Sequence, residues 1–184
     1  MRYITLTICS LFAAFIVYTG HAAAQVEIPI APKVHLYDLT PMARQEVECL
    51  AQNMYFEAGG EPEKGQLAVA FVTHNRAQSG LFPESYCGVV KQKTGSVCQF
   101  SWYCEKRPKT MIDRGHLTIE NNSLYNRITQ IALSFYLYTN TFKDPTKGAL
   151  FFHADYVKPM WNNMRYTAQI GRHLFYTKVS RKPA

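Results

Sequence analysis

The chain has 184 residues, 47% of them apolar and 18% charged, a composition that excludes a disordered or collagen-like polypeptide and leaves one globular domain with short extras. Twenty Lys and Arg against thirteen Asp and Glu give a formal charge of +7, which bounds the sign of the partners and not the fold. Five cysteines in a chain this long exclude a miniprotein held mainly by disulfides.

The first predicted element is a leader. Arg2 precedes a mostly apolar run from Ile4 to Tyr18, and Ala22-Ala23-Ala24 follows with small residues where a signal peptidase reads. Residues 1–24 are therefore expected to be a signal peptide that sends the protein to the periplasm or the medium. The alternative is a retained anchor, for which the run is short. Cleavage after Ala24 removes Cys9 and leaves Cys49, Cys87, Cys98 and Cys104. An even set in an oxidising compartment predicts two disulfides, with three possible pairings. A zinc site is the weaker alternative, since no two of these residues have the tight Cys-x-x-Cys spacing.

Residues 25–40, with Pro29 and Pro32 and no helical period, read as an extended lead-in to a single domain over 41–184. Thr40-Pro41 is a helix start, a hydroxyl at N-cap and proline at N1. Val47, Leu50, Ala51 and Met54 then recur at helical spacing, predicting an amphipathic helix from 41 to about 57 that Gly59-Gly60 stops. Pro62 opens a second helix, with Leu67, Ala70, Phe71 and His74 on one face and Val69 and Val72 on another, which points to burial on several sides. Residues 81–118 read as irregular. A third helix fits 122–139, where Tyr125, Ile128, Ala132, Phe135 and Tyr136 keep a 3.6-residue rhythm. Asp144-Pro145 and Gly148 mark a turn, and Ala149–Phe152 and Ile170–Val179 read as strands. The expected architecture is helix-led, with a small sheet late in the chain.

The sharpest chemical feature is Tyr55-Phe56-Glu57-Ala58-Gly59-Gly60-Glu61-Pro62. Glu57 falls in the last turn of a helix, where the macrodipole disfavours its charge, and the flanking aromatics act in the same direction. A carboxylic acid kept protonated is what a glycosidase uses on a leaving sugar oxygen; the bland alternative is a solvated helix-end residue. Glu61, just before Pro62, is expected mainly to cap the second helix, with a share in substrate binding as the other reading. Asp113, Asp144 and Asp155 are the candidates for a second carboxylate, none of them marked by a motif.

Gln99-Phe100-Ser101-Trp102-Tyr103 offers aromatic faces for pyranose rings and polar groups for their edges, against the alternative of a core strand pinned between Cys98 and Cys104. Phe152-His153-Ala154-Asp155-Tyr156 with Trp161 is a second such cluster. His153 as a metal ligand has no second histidine at ligand spacing, so a hydrogen-bonding role is preferred. The basic residues over 91–114 suit an acidic polymer, or are an ordinary solvated face.

The run from Cys49 to Arg76, containing Glu57-Ala-Gly-Gly-Glu61-Pro, Gly65-Gln66 and Asn75-Arg76, resembles the opening of the SleB/CwlJ cell-wall hydrolase family, the catalytic domain of spore cortex-lytic enzymes. Phe82-Pro83, Cys87-Gly88-Val89-Val90, Cys98-Gln99-Phe100-Ser101 and Gly171-Arg172-His173-Leu174-Phe175-Tyr176 extend the resemblance over residues 45 to 177. Gly59 departs from it, since the family usually has Arg there. The resemblance implies a lysozyme-like α+β fold and cleavage of peptidoglycan between N-acetylmuramic acid and N-acetylglucosamine, in some members as lytic transglycosylases. It puts the catalytic glutamate at Glu57; Glu61, Gln99, Ser101, Trp102, His153 and Tyr156 are candidate substrate-binding residues on the chemistry of their side chains. It implies peptidoglycan as partner, with no cofactor, no metal, no nucleic acid and no membrane contact after the leader is removed. Two rival readings are a non-catalytic wall-binding module and an exported basic nuclease using His74-Asn75-Arg76.

Overall fold

The computed structural model describes residues 34–104 and 123–179; the predicted signal peptide, Asp113 and much of the basic stretch lie outside the described residues. Among these, the lead-in is not wholly extended, because Leu36–Asp38 forms a 3-10 turn with the Asp38 carboxylate accepting from the His35 N–H at 2.8 Å. Helix α1 spans Pro41–Ala58 and starts as expected, with the Thr40 hydroxyl accepting from the Ala43 N–H. Helix α2 spans Glu63–Gln78, and the long third helix, α5, spans Ser123–Tyr138. Their apolar stripes meet in one core containing Leu50, Met54, Phe71, Ile128 and Phe135. The opposite face of α2 supplies Ala68 and Val72 to a second, smaller core with Ala149, Ile170 and Phe175. That explains why α2 is apolar all round: it is covered by helices on one side and by the sheet on the other.

The stretch after Pro83 is more regular than its sequence suggests. It contains helix α3 (Tyr86–Lys91), a hairpin of β1 (Lys93–Thr94) with β2 (Val97–Cys98), and a single helical turn, α4 (Ser101–Cys104). These elements are too short to show a period, and they are held by two cross-links. Cys49–Cys87 ties α1 to α3, with Cα atoms 5.2 Å apart, and Cys98–Cys104 ties β2 to α4 at 5.7 Å. The segment between Cys98 and Cys104 is thus helical at its end, not a core strand.

The late sheet has three antiparallel strands in the order β3-β5-β4, formed by Phe151–Ala154, His173–Lys178 and Met164–Ile170. The strand expected over Ile170–Val179 is therefore broken at Gly171, where the chain turns between β4 and β5. Strand β4 lacks a clean alternation of apolar and polar residues and is missing from the sequence-based reading. Register pairs Phe152 with Phe175 and Ala154 with His173, so these four residues share the face turned to α2, while His153, Leu174 and Tyr176 share the other. The fold is α+β, helix-rich, with small antiparallel sheets.

Candidate active site

Glu57 stands in the last turn of α1, and the chain leaves the helix at Gly59-Gly60. The Gly59 N–H bonds the Tyr55 carbonyl, and a Cβ at Gly59 would run into that same oxygen. Glu57 lines a cleft of about 340 Å³ together with Phe56, Ser101, Trp102, Phe152, His153, Ala154, Tyr156, Val157 and His173. The cleft lies where the end of α1, the single turn α4 and the β3–β5 edge of the sheet converge. Among the described residues, Glu57 is the one carboxylate on its walls.

The aromatic wall beside Glu57 is held from below. Phe56 stacks on Trp102 with centroids 4.6 Å apart and planes 21° from parallel. The Trp102 Nε1–H donates to Asn53 Oδ1 at 3.0 Å, Asn53 Nδ2 donates to Thr73 Oγ1 at 3.1 Å, and the Thr73 hydroxyl donates to the Val69 carbonyl. Asn53 and Thr73 are fully buried, so this chain of hydrogen bonds joins α1, α2 and α4 through the core. Asn53 had no role in the sequence reading. Its signal was available, as an amide on the buried stripe of α1 between Leu50 and Met54.

The other predicted site residues divide. Ser101, Trp102, His153 and Tyr156 come together with Glu57 in the cleft, whereas Gln99 is exposed and outside its walls. Gln99 instead closes the hairpin, its N–H bonding the Gln92 carbonyl. Both ring nitrogens of His153 are engaged, Nδ1 with the Ala154 carbonyl and Nε2 with the Tyr176 hydroxyl, and its ring stacks on Tyr176. Glu61 is not the cap of α2: Pro62 holds the N-cap position with no side-chain bond. Its carboxylate reaches across to the β4–β5 turn and accepts from the Arg172 N–H at 3.1 Å. Asp155 pairs with the Arg172 guanidinium at 3.3 Å, and Asp144 accepts from Asn75, Thr146 and the Gly148 N–H in the turn before β3. Neither aspartate lines the cleft.

The residues a nuclease reading would use are spent on the fold. His74 Nδ1 shares a hydrogen bond with the Tyr86 hydroxyl, and Asn75 donates to Asp144 and the Ala149 carbonyl. Arg76 donates from Nε to the Leu150 carbonyl and lies within 5.0 Å of the Phe82 and Phe100 ring centres. Burial lowers its pKa to about 10, against which the charge of Glu57 attracts it. No helix among the described residues is long and apolar enough to cross a membrane.

The chain is similar to known proteins. The chain is 30% identical over 135 residues to a spore cortex-lytic enzyme of Oceanobacillus iheyensis, covering 72% of this chain and 42% of that protein. It is 30% identical over 135 residues to the spore cortex-lytic enzyme of Bacillus subtilis, covering 38% of it. The chain thus spans less than half the length of these curated relatives. Among solved structures it is similar to the catalytic domain of the germination-specific lytic transglycosylase SleB from Bacillus anthracis. That match has 26% identity and a TM-score of 0.49, over 72% of this chain and 93% of that one. The family model described as Cell Wall Hydrolase matches residues 60–176, from just after Glu57 to the end of the Gly171–Tyr176 motif, and the chain belongs to that family.

Proposed function

We propose that this protein is exported and cleaves peptidoglycan glycan strands between N-acetylmuramic acid and N-acetylglucosamine, with Glu57 as the general acid and base. The observation that carries the reading is Glu57 at the helix end in an aromatic-walled cleft, on a chain of the cell wall hydrolase family. Two curated relatives are named spore cortex-lytic enzymes, which favours a wall polysaccharide as substrate. The cleft volume of about 340 Å³ is at the small end for ligand pockets, roughly 300–1,000 Å³. That suits the reacting sugars of a long polymer, the remainder lying outside. Phe56, Trp102 and Tyr156 supply apolar faces for the rings, and Ser101 a hydroxyl for their edges.

Of the two outcomes open to such a site, the lytic transglycosylase reaction fits better. Hydrolysis with inversion or retention uses a second carboxylate opposite the acid, and among the described residues none other lines the cleft. In the transglycosylase reaction Glu57 gives its proton to the glycosidic oxygen as the C1–O bond breaks. The 6-hydroxyl of the same muramic acid then attacks C1 and returns its proton to Glu57, forming an internal anhydro bond without consuming water. Mass analysis of muropeptides from digested sacculi tests this directly. Anhydro ends, lighter than hydrolysis products by one water, are expected. Reducing muramic acid ends would assign a muramidase, and undigested sacculi that retain bound protein would assign a binding module.

A further inference from the structure

His173 is 8% exposed, lines the cleft that holds Glu57, and its Nδ1 is buried with no hydrogen-bond partner. A polar atom in that condition costs stability, and native folds keep few of them. Its neighbours would suit an apolar side chain better: the Phe152 ring centre is 5.2 Å away and that of Phe175 is 6.2 Å away. The contrast with His153 is direct, since that histidine lines the same cleft with both nitrogens bonded inside the protein. Resting on the glycan-cleaving reading above, we propose that His173 contacts the glycan itself: its ring, turned about Cβ–Cγ so that Nδ1 faces the cleft and not the protein interior, hydrogen-bonds a hydroxyl or acetamido group of the sugar beside Glu57, and Glu61 is the residue that positions it.

The positioning follows from the turn that precedes His173. Gly171 has a φ of +56°, and a Cβ there would collide with the Glu61 carboxylate. The next N–H, that of Arg172, donates to that carboxylate. Glu61 thus grips the two residues before His173 from the connection that follows Glu57. One motif, Glu57-Ala-Gly-Gly-Glu61, supplies the acid with its first carboxylate and sets the strand bearing the imidazole with its second. Three charged or titratable neighbours face the ring: Glu61 from the α1–α2 connection and Asp155 after β3 favour its protonation, and His153 on β3 disfavours it. Burial outweighs them and holds its pKa below the usual 6.5, so near neutral pH the ring is an uncharged imidazole, one nitrogen donating and the other accepting.

The test compares His173→Phe and His173→Gln with wild type on purified sacculi, following muropeptide release for kcat and KM, and melting temperature. His173→Phe is expected to melt at or above wild type while kcat/KM falls about 10- to 100-fold, the size of one lost substrate hydrogen bond. His173→Gln should recover part of that loss. Glu61→Ala should lower kcat/KM, and the same change made on top of His173→Phe should cost little more, since Glu61 acts through His173. Glu61→Gln, whose side-chain oxygen can still accept from the Arg172 N–H, should recover most of the loss seen in Glu61→Ala. Wild-type turnover by His173→Phe overturns the proposal and leaves the glycan reading standing. So does a lowered melting temperature with kcat/KM restored on cooling. Sacculi left intact by the wild type overturn both.

Discussion

Glu57 and Asn53 lie one helical turn apart on α1 and carry different burdens. Glu57→Gln keeps the size of the side chain and can still donate a hydrogen bond, but it cannot deliver a proton or take one back. General acid catalysis is worth about 10²–10⁴-fold. Sacculus degradation should therefore fall by that much or more, with melting temperature and sacculus binding nearly unchanged; turnover near wild type would sink the assignment. Asn53→Ala acts in the opposite way. It strands the Trp102 indole N–H in the core, while the Thr73 hydroxyl keeps its bond to the Val69 carbonyl, at roughly 1–3 kcal/mol for a buried polar group left unpaired. The expected result is a clear drop in denaturation midpoint, with activity lost because the Phe56–Trp102 stack beside Glu57 loosens. A midpoint within error of wild type would show that the network contributes nothing.

At the scale of elements, the two disulfides hold pieces that could not hold themselves. Helix α3 has six residues, α4 four, and β1 and β2 two each, all below the length at which such elements are stable alone. The separation of 38 residues between Cys49 and Cys87, against 6 between Cys98 and Cys104, makes the first the larger contributor. Loop-closure entropy gives about 4 kcal/mol for the first and about 2 kcal/mol for the second. Protein made in an oxidising compartment should therefore show no reactive thiol among these four cysteines when denatured without reductant. Serine at Cys49 and Cys87 should lower stability more than serine at Cys98 and Cys104. Thiol titration and denaturant melts check both, and the reverse order of stability would count against the entropic account. The Cys98–Cys104 pair has a second consequence: it pins α4, and with it Ser101 and Trp102, to the hairpin.

At the scale of the whole molecule, acid sensitivity follows from two histidines, His173 buried and His74 half-buried. Burial lowers the pKa of both His74 and His173 from 6.5, against the upward pull of Asp144 on the first and of Glu61 and Asp155 on the second. Below pH 6.5 the unfolded chain binds protons that the folded chain does not. Stability is therefore full above that pH and falls with acidification, until the lowered folded-state values are reached. Thermal melts between about pH 7.5 and about pH 5.5, roughly a unit either side of an ordinary histidine, should show a falling midpoint. In His173→Phe the fall should be shallower. A flat profile in wild type would mean that neither ring is held neutral by the fold.

Three helices, the stop at Gly59-Gly60 and the position of Glu57 at a helix end were legible in the chain, because each rests on local physics. Apolar periodicity, a Thr-Pro start and a glycine pair act within a few residues of where they stand. The four cysteines and the basic balance were legible as counts. What the sequence left open depended on partners far away in the chain. Gln99 and Ser101 are two residues apart in one motif, yet only Ser101 reaches the cleft, because the chain bends at Gln99-Phe100 before α4 begins. Glu61 reads locally as a cap, but its carboxylate meets a backbone N–H at residue 172, where a glycine has left room. His173 had no role of its own in the sequence, where only His153 was singled out; the strand register puts the two on opposite faces, His153 bonded at both nitrogens and His173 with Nδ1 unpaired. Local sequence determines which elements form and where they end. Which side chains share a cleft, and which of those retain an unfilled hydrogen bond, is decided when helices and strands far apart in sequence pack together.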